Sequence, residues 1–531
     1  MEYRYAISLI FEAHLPFVRE YRKDEDLTQS GKEGRYFHFV SETLIPFLEV
    51  LDRLENDHVH FRLALAISPI LCHMLNDEHL QKKYLCYIDK QIEFGRQEIK
   101  RTANNSELNK LAQHYYNQIV DRRIVYTERY EKNLLKALDS LRRKGKIEIL
   151  ASSATHAYLP FISHNPESLQ AQIEVAIPAY RRHFGGIPQG FWLSSLGWHP
   201  DLEPYLQAYN FTYTILGSHG LLFGSPMPEK GNFYPAKTPN GTFLLGRDLH
   251  AVREMRDLSN DDVYRKNDRD AGYELPPELL STFINEDGER HRTGYKYWSR
   301  VSPDSGNDIY NPQAATERVT EQTKVFLENL IARLEEASKH MKEIPVSINA
   351  HNAAALGQFW YEGPQFLETL FRMAAEHKAL KFVCPCDYIF KQNLSSIQVV
   401  TPEVSSAGEN GYAETWLDVS NDWIYRHLLR AMERMTELAE RFPDDSGLKE
   451  RALNQAAREI LLAQSSDWPA LLYSQDSTEY ARIQAENSLR NFTTIYEALG
   501  SNYISTEWLT TLERKHNLFP NINYRVFRRK K

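Results

Sequence analysis

The stretch Gly190-Phe191-Trp192-Leu193-Ser194-Ser195-Leu196-Gly197-Trp198-His199-Pro200 joins an apolar run to small and polar residues. Phe191 to Leu193 is short and apolar, which is typical of a buried strand in a parallel sheet. Ser195 follows at the point where such a strand ends. In parallel α/β barrels the loops after the strands converge on one face and carry the chemistry. We therefore expect Ser195 to lie at a functional face.

The first two thirds of the chain repeat this arrangement. The other candidate strands are short apolar runs: Ala6 to Phe11, Phe61 to Ile67, Ile147 to Ala151, Phe211 to Leu216 and Pro345 to Asn349. The segments between them have helical patterning: Ser41 to Asn56, Tyr84 to Asn104, Leu134 to Arg143 and Leu169 to Phe184. This alternation predicts an α/β fold with a parallel sheet. His14, His156 and Asn352, like Ser195, each come just after a candidate strand.

Two regions differ from this pattern. Residues 220–310 contain Pro226-Met227-Pro228 and Pro239-Asn240-Gly241 with little periodicity, which indicates an insertion or lid. From about Asp418 onward, apolar residues recur with a period near 3.6, which predicts a helical bundle. We therefore predict a barrel domain over 1–400, with 220–310 as its lid, and a helical domain over 401–531.

Composition excludes several classes of protein. A net charge of −8 over 531 residues argues against a nucleic-acid partner. No apolar run is long enough to span a bilayer, so we expect no membrane partner. The chain has 4 cysteines, and this scarcity suits a reducing compartment. These features predict a cytoplasmic protein, and nothing in the sequence indicates a cofactor.

Motifs at several places along the chain together carry a resemblance. They are His14-Leu15-Pro16-Phe17-Val18-Arg19, Ala154-Thr155-His156-Ala157-Tyr158-Leu159-Pro160, the Trp192-Leu193-Ser194-Ser195 stretch, Gly246-Arg247-Asp248, Thr293-Gly294-Tyr295-Lys296-Tyr297, Gly357-Gln358-Phe359-Trp360-Tyr361-Glu362-Gly363-Pro364 and Gln464-Ser465-Ser466-Asp467-Trp468-Pro469. In this order they resemble glycoside hydrolase family 57, in particular its glucan-branching-enzyme-like members. The resemblance implies a distorted (β/α)7 barrel with an inserted lid and a C-terminal helical bundle, and an α-glucan or oligosaccharide as ligand.

The resemblance also implies where catalytic groups belong. Ser195 stands at the position of the family's nucleophilic glutamate, and Asn352 at that of its acid/base aspartate. Retaining glycoside transfer needs two carboxyl groups roughly 5–5.5 Å apart. An amide has no proton that titrates near neutral pH, and a serine alcohol attacks only beside a base. We therefore assign no catalytic residue in this chain.

Further residues are substrate-binding candidates through the same resemblance: His14, His156, Trp192, Asp248, Trp416, Trp423, Asp467 and Trp468. For the tryptophans, packing in the core explains the residue type as well as a sugar platform does. For the histidines, a hydrogen bond inside the protein is the alternative to a ligand contact. Ala407 and Arg256 stand where family members carry tryptophans that bind sugar, so two platforms are missing.

This chain has one carboxylate that the family resemblance does not imply. Glu12 stands where family relatives often carry histidine, and it lies two residues before His14, on the same face of a strand. Together with His156 and His351, these residues are of types that zinc accepts. Their spacing specifies no metal site, and we predict none.

Three hypotheses follow. The first is a catalytically inactive relative of the family's branching enzymes and amylases that keeps a carbohydrate-binding or interaction role. The second is an active, retaining α-glucan transferase or hydrolase with relocated carboxylates, for which Glu12, Asp248 and Asp201 are candidates. The third is a protein-binding scaffold without sugar affinity.

Overall fold

A computed structural model describes residues 3–20, 31–285, 288–300 and 308–530. The strands in these ranges are β1 (Tyr5–Ala13), β2 (Leu63–Ile67), β3 (Ile147–Ser152), β4 (Gly190–Trp192), β5 (Tyr213–Leu216), β6 (Ala236–Lys237), β7 (Phe243–Gly246), β8 (Val346–Asn352) and β9 (Leu380–Phe382). The six strands expected from the sequence are all present. The short strands β6, β7 and β9 were not predicted, because two to four residues show too little periodicity.

The strands form a barrel. Their order in the sheet is β6-β7-β5-β4-β3-β2-β1-β8, with β9 paired to the start of β1. Every pairing is parallel except that of β6 with β7. A parallel bridge between Arg247 and Ile348 then joins the end of β7 to β8 and closes the ring. The predicted α/β fold with a distorted (β/α)7 barrel is therefore confirmed.

The alternation of side chains along β1 shows which residues enter the barrel. Ala6 and Ile10 belong to the apolar cluster inside the barrel, whereas Leu9 and Phe11 pack in the larger core under the helices. Because successive side chains of a strand point to opposite faces, Glu12 continues the inner row. A carboxylate thus ends the inner row of Ala6, Ser8 and Ile10.

Helices surround the sheet. Up to residue 400 they are α1 (Gly31–Phe39), α2 (Ile45–Asn56), α3 (Pro69–Leu75), α4 (Glu78–Arg101), α5 (Ser106–Ile124), α6 (Leu134–Arg143), α7 (Leu159–Ile162), α8 (Pro166–Phe184), α9 (Glu203–Ala208), α10 (Ser218–Leu222), α11 (Leu249–Leu258), α12 (Ala271–Glu274), α13 (Pro312–Ser338), α14 (Gly363–Ala375) and α15 (Pro385–Ile389). A π-helical turn, Val40–Leu44, joins α1 to α2. The four predicted helices correspond to α2, α4, α6 and α8.

The region 220–310 is only partly an insertion. Its residues Ala236–Lys237 and Phe243–Gly246 are strands of the barrel sheet, so this part of the predicted insertion or lid contributes to the barrel itself. The flanking prolines and glycines concealed two strands this short. Residues 286–287 and 301–307 of the predicted lid lie outside the described residues.

The C-terminal part is helical, as predicted. Its helices are α16 (Asp422–Arg441), α17 (Leu448–Ala463), α18 (Asp467–Tyr473), α19 (Thr478–Gly500) and α20 (Thr506–Lys515). Helices α16, α17 and α19 pack on one another, and α16 also contacts α8 of the barrel. Over the residues that the structure describes, we find no helix with the length and apolar character that crossing a membrane requires.

Candidate functional site at the barrel mouth

The carboxylate of Glu12 is held at the carboxyl end of β1. Its Oε1 atom accepts a hydrogen bond from His156 Nε2 at 2.6 Å and another from Trp192 Nε1, also at 2.6 Å. His156 comes from the segment after β3, and Trp192 ends β4. In the described part of the chain no donor is seen on Oε2, and the side chain is 15% exposed. One oxygen is therefore fixed by two donors of the protein, whereas the other is unpaired among the described residues.

A second histidine and carboxylate lie beside this pair. His14 hydrogen-bonds through Nδ1 to Ser68 Oγ at 2.8 Å and through Nε2 to Asp467 Oδ1 at 3.0 Å. The imidazole rings of His14 and His156 are stacked, with centroids 3.8 Å apart and planes 5° apart. The two histidine–carboxylate pairs thus form one contiguous network.

The C-terminal helices complete this network. Asp467 is the first residue of α18, where the free N–H groups of a helix favour a negative charge. Ser465 Oγ donates a hydrogen bond to Asp467 Oδ2 at 2.6 Å. Ser466 Oγ bonds His156 Nδ1 at 2.9 Å and the His156 carbonyl oxygen at 2.6 Å. Residues far apart in the sequence therefore fix both imidazole rings.

Burial and charge set the protonation of the network. Burial alone raises the pKa of Glu12, but the positive charge and hydrogen bond of His156 outweigh it, and this pKa lies below its usual value. Burial lowers the pKa of His156, but the Glu12 charge outweighs this and the pKa is raised. For His14, burial prevails over Asp467 and the pKa is lowered. Because protonated rings stacked this closely repel each other, we assign the positive charge to His156.

Neutral His14 then satisfies its neighbours. Its Nε2–H donates to Asp467, and its Nδ1 accepts the Ser68 hydroxyl proton. Burial raises the pKa of Asp467, but the neighbouring imidazoles of His14 and His156 and the Ser465 hydroxyl outweigh burial, so this pKa is lowered and the carboxylate is ionised. At neutral pH both carboxyl groups of the network are therefore anions, and neither is a proton donor.

Ser195 lies in a tightly held turn after β4. Its φ of 57° is in the left-handed region, which non-glycine residues rarely adopt. The Ser195 carbonyl oxygen accepts a hydrogen bond from Ala407 N at 2.7 Å, and the neighbouring Ser194 bonds Ser153 through their hydroxyls at 2.9 Å. Contacts around the substituted position thus maintain the backbone geometry of this turn. Ala407, which stands where family members carry a sugar-binding tryptophan, contacts the same turn.

Asn352 is the last residue of β8 and lies opposite Glu12 in the parallel register. The sequence placed it just after the strand, whereas the strand extends to include it. Its Oδ1 accepts a hydrogen bond from Ala354 N at 2.8 Å, which starts the short helical turn Ala353–Ala355. The amide therefore has a local structural role at the barrel mouth.

Asp248 is not at the barrel mouth. Its carboxylate caps α11 by accepting from Ala251 N at 3.1 Å, and Ser347 Oγ donates to it at 2.6 Å. Ser347 lies on the face of β8 opposite to the inner row of Val346 and Ile348, so Asp248 belongs to the helix-facing layer. The predictions of Asp248 as a sugar contact or a relocated carboxylate are wrong. Asp201, the other candidate, is exposed and pairs with His199 at 3.2 Å.

Arg247 was missed by the sequence analysis. Its Nε donates to the Ala350 carbonyl oxygen at 2.9 Å, and burial lowers its pKa while the Glu12 charge partly restores it. The alternation of side chains along β7 indicates its position. Leu245 lies inside the barrel, and Arg247, two positions later, is on the same face of the chain. Asp248, the next residue, therefore points outward.

The predicted tryptophans are in different environments. Trp416 is buried and stacks on Tyr158, with ring centroids 4.6 Å apart and planes at 9°. Trp468 is 1% exposed and donates to the Leu462 carbonyl oxygen at 2.7 Å, which makes it a core residue. Trp423 is partly buried against the core on α16. Of the four, only Trp192 hydrogen-bonds the network.

A metal centre does not suit the observed geometry. His14, His156 and Asp467 each have a potential ligand atom within 4.8 Å of the others. However, the nitrogen lone pairs of parallel stacked rings lie in parallel planes, whereas zinc needs nitrogen atoms whose lone pairs converge on one point at about 2.0–2.1 Å. His351, the fourth residue considered, stacks on Phe11 in the helix-facing layer at 6.0 Å. His14 is instead hydrogen-bonded to Asp467, and His156 to Glu12.

Comparisons with known proteins agree with this architecture. The sequence profile of Glycosyl hydrolase family 57 matches residues 8–400, and that of the 1,4-alpha-glucan branching enzyme C-terminal region matches residues 427–527. A 1,4-alpha-glucan branching enzyme of Thermococcus kodakarensis is 24% identical over 512 residues, which cover 92% of this chain and 72% of that protein.

Solved structures extend the likeness to the whole fold. The alpha-amylase AmyC of Thermotoga maritima has a TM-score of 0.91 and 32% identity, and the match covers 99% of this chain and 100% of AmyC. A branching enzyme of Pyrococcus horikoshii superposes with a TM-score of 0.88 at 22% identity, over 99% of this chain and 97% of that enzyme. Because the family profile covers most of the sequence, the chain belongs to glycosyl hydrolase family 57.

Proposed function

We propose that this chain is a catalytically inactive member of family 57 that binds an α-glucan or oligosaccharide at the barrel mouth. The observation that carries the proposal is the pairing of Glu12 with Asn352 at the ends of β1 and β8. There the family resemblance calls for a titratable aspartate. The amide has no such proton and already accepts the Ala354 N–H.

The nucleophile position supports the same proposal. A serine hydroxyl becomes nucleophilic only when a base takes its proton. The histidines of the network have their ring nitrogens committed to Glu12, Ser466, Ser68 and Asp467. The turn that carries Ser195 is nevertheless firmly held, which suits a surface maintained for binding.

The open atoms at the mouth suit a sugar. Glu12 Oε2 is a charged acceptor for a hydroxyl proton, and charge-assisted hydrogen bonds are stronger than neutral ones. Asp467 is similarly ionised and 11% exposed. Together they offer fixed acceptors to a ligand rich in hydroxyl groups. The similarity to a 1,4-alpha-glucan branching enzyme and to the alpha-amylase AmyC supports an α-glucan as this ligand.

The alternative of an active enzyme with relocated carboxylates has less support. A retaining mechanism needs a protonated carboxyl group beside an ionised one. Glu12 and Asp467 both have lowered pKa values, and Asp248 lies in the helix-facing layer. A protein-binding scaffold without sugar affinity is the third candidate, supported by the small side chain of Ala407 beside Ser195.

Two further predictions remain part of the proposal. The division into a barrel domain, 1–400, and a helical domain, 401–531, is supported by the separate ranges of the two family profiles. Action in the cytoplasm is supported by four cysteines that are all free.

Two assays test the proposal. Incubation with amylose, followed by measurement of α-1,6 branches and reducing ends, should show no turnover. Electrophoresis through a glycogen-containing gel should show retarded migration, and His156→Ala should weaken it. Turnover that disappears in Glu12→Gln would favour the active enzyme, and unretarded migration of the wild type would favour the scaffold. Asp201→Asn, an exposed change outside the network, is the matched control.

A further inference from the structure

A cavity lies on the outer flank of the barrel, away from the histidine network. It has a volume of about 590 Å³ and is lined by α2, α5, the start of α13, α14 and the segment before α14. Sites for small organic ligands typically enclose about 300–1,000 Å³. The cavity is therefore large enough to hold at least part of an oligosaccharide.

Several polar side chains that face this cavity lack partners. Within the described ranges, no hydrogen bond or ion pair is seen for the side chains of Glu49, Asp121 and Arg122. Nε2 of His114 is buried and also has no partner. Partial burial raises the pKa of Glu49, and the Arg122 charge offsets this only in part. A buried polar atom without a partner, such as His114 Nε2, destabilises a fold, so a bound molecule that satisfies it gains free energy. The half-buried Glu49 and Arg122 and the exposed Asp121 are accessible to a ligand from solvent.

The cavity also has flat surfaces. Tyr361 lies in its wall, fixed on one side by the Arg265 guanidinium at 3.6 Å from the ring centroid and by its hydroxyl bond to Gln118. Pro46 and Pro364 add rigid apolar surface. Rigid rings of this kind match the apolar faces of pyranoses.

The charges favour a neutral, hydroxylated ligand. The carboxylates of Glu49 and Asp121 repel a phosphate or carboxylate. Of the three arginines among the described residues of the cavity, Arg53 and Arg372 are paired with carboxylates, and the guanidinium of Arg122 does not compensate for both free anions. Hydroxyl groups, in contrast, donate to the carboxylates and accept from Arg122. We propose that this cavity is a second oligosaccharide-binding site. The choice of ligand rests on the proposed function, whereas the position of the site does not.

Two sites on one chain would change how the protein binds a polymer. A long glucan held at the mouth has a high local concentration at the flank, provided that one strand or branch can reach both sites. We therefore expect tighter retention on glycogen than on a short oligosaccharide. For a protein with one site, we expect a smaller increase in affinity as the polymer becomes longer.

Isothermal titration with maltoheptaose tests the proposal. The wild type should bind two molecules per chain. Arg122→Met combined with Glu49→Gln removes the free cation and one free anion, and should raise Kd of one site by about tenfold or abolish it. Arg123→Met is the matched control, since Arg123 is the next residue of α5 and pairs with Asp89 at 2.6 Å. Thermal unfolding of each variant checks that it is folded.

The outcomes separate this proposal from the one for the mouth. Unchanged binding by the Arg122/Glu49 variant, with all binding lost in a His156→Ala variant, overturns the second site and leaves the mouth site standing. Loss of all binding in the Arg122/Glu49 variant, with none lost in His156→Ala, supports the second site and overturns the mouth site. No binding by the folded wild type overturns both.

Discussion

Glu12 and Asn352 are register partners at the carboxyl ends of the neighbouring parallel strands β1 and β8. One is an ionised carboxylate and the other an amide, at a place where the family resemblance expects an aspartate. This relationship explains why the loss at position 352 cannot be judged alone. A carboxyl group restored there would lie beside a fixed negative charge.

The first prediction is that the double change Ser195→Glu with Asn352→Asp introduces branching or hydrolytic activity. The Ser195 turn keeps its backbone geometry, so the new carboxylate should be directed to the mouth. Each group commonly contributes about 10²–10⁴-fold to rate, so either single change should remain near background. Incubation with amylose and detection of new α-1,6 branches measures the result. Equal background rates in all three variants would mean that the rest of the site no longer accepts substrate.

The second prediction concerns pH in that double variant. The negative charge of Glu12 should raise the pKa of the carboxyl group introduced at position 352, because like charges disfavour ionisation. A general acid works below its pKa, so the alkaline limb of the pH–rate profile should shift to lower pH when Glu12→Gln is added. The rate profiles of the two variants measure this shift. A shift to higher pH would contradict the assigned proximity.

Glu12 could be recognised from the sequence as a strand-end residue, and the inner face of β1 followed from simple alternation. The sequence could not show that its partner would be Asn352, because β8 pairs with β1 in the sheet although the strands β2 to β7 come between them in the sequence. Nor could it show that His14 meets Asp467, which is 453 positions later. Such contacts depend on the docking of the C-terminal helices onto the barrel.

The errors have equally local causes. Asp248 and Arg247 are adjacent, and only the position of β7 decides which enters the barrel. Because β7 has only four residues and ends in a glycine, its sequence pattern does not show which side chains face into the barrel. For Trp468 the residue type suited both a platform and a core, and only the bond to the Leu462 carbonyl distinguished them. Charge and composition do not show which of Arg247 and Asp248 enters the barrel, or whether Trp468 packs in the core.

The third prediction is that Glu12→Ala lowers the free energy of unfolding by about 3 kcal/mol. The change leaves the positive charge of His156 without its partner and removes the acceptor of the Trp192 N–H. Asp201→Ala removes an exposed carboxylate and should change stability by no more than about 0.5 kcal/mol. Urea unfolding of the two variants compares them. Equal stabilities would indicate that the Glu12–His156 pair contributes nothing net.

The fourth prediction is the pH dependence of this stabilisation. The lowered pKa of Glu12 gives stability that is present above its ordinary value of 4.5 and lost as pH falls through the native pKa. The raised pKa of His156 gives stability that is complete below its ordinary value of 6.5 and lost as pH rises through the native pKa. The stability difference between wild type and Glu12→Gln should therefore be largest between these two values. Urea unfolding from pH 4 to 9 measures it, and a difference that grows steadily toward alkaline pH would contradict the assignment.

The last prediction separates two buried tryptophans by what they support. Trp468→Phe leaves the Leu462 carbonyl oxygen without its donor and should lower the free energy of unfolding by about 1–3 kcal/mol, with little effect on oligosaccharide affinity. Trp192→Phe removes one of the two donors on Glu12 Oε1, which frees the carboxylate to change its orientation at the mouth. This variant should weaken maltoheptaose binding at the mouth by about tenfold. Parallel titrations and unfolding curves compare the two variants. If Trp468→Phe weakens binding as much as Trp192→Phe does, the effect of both is on the fold, and the open oxygen of Glu12 is not the acceptor that holds the sugar.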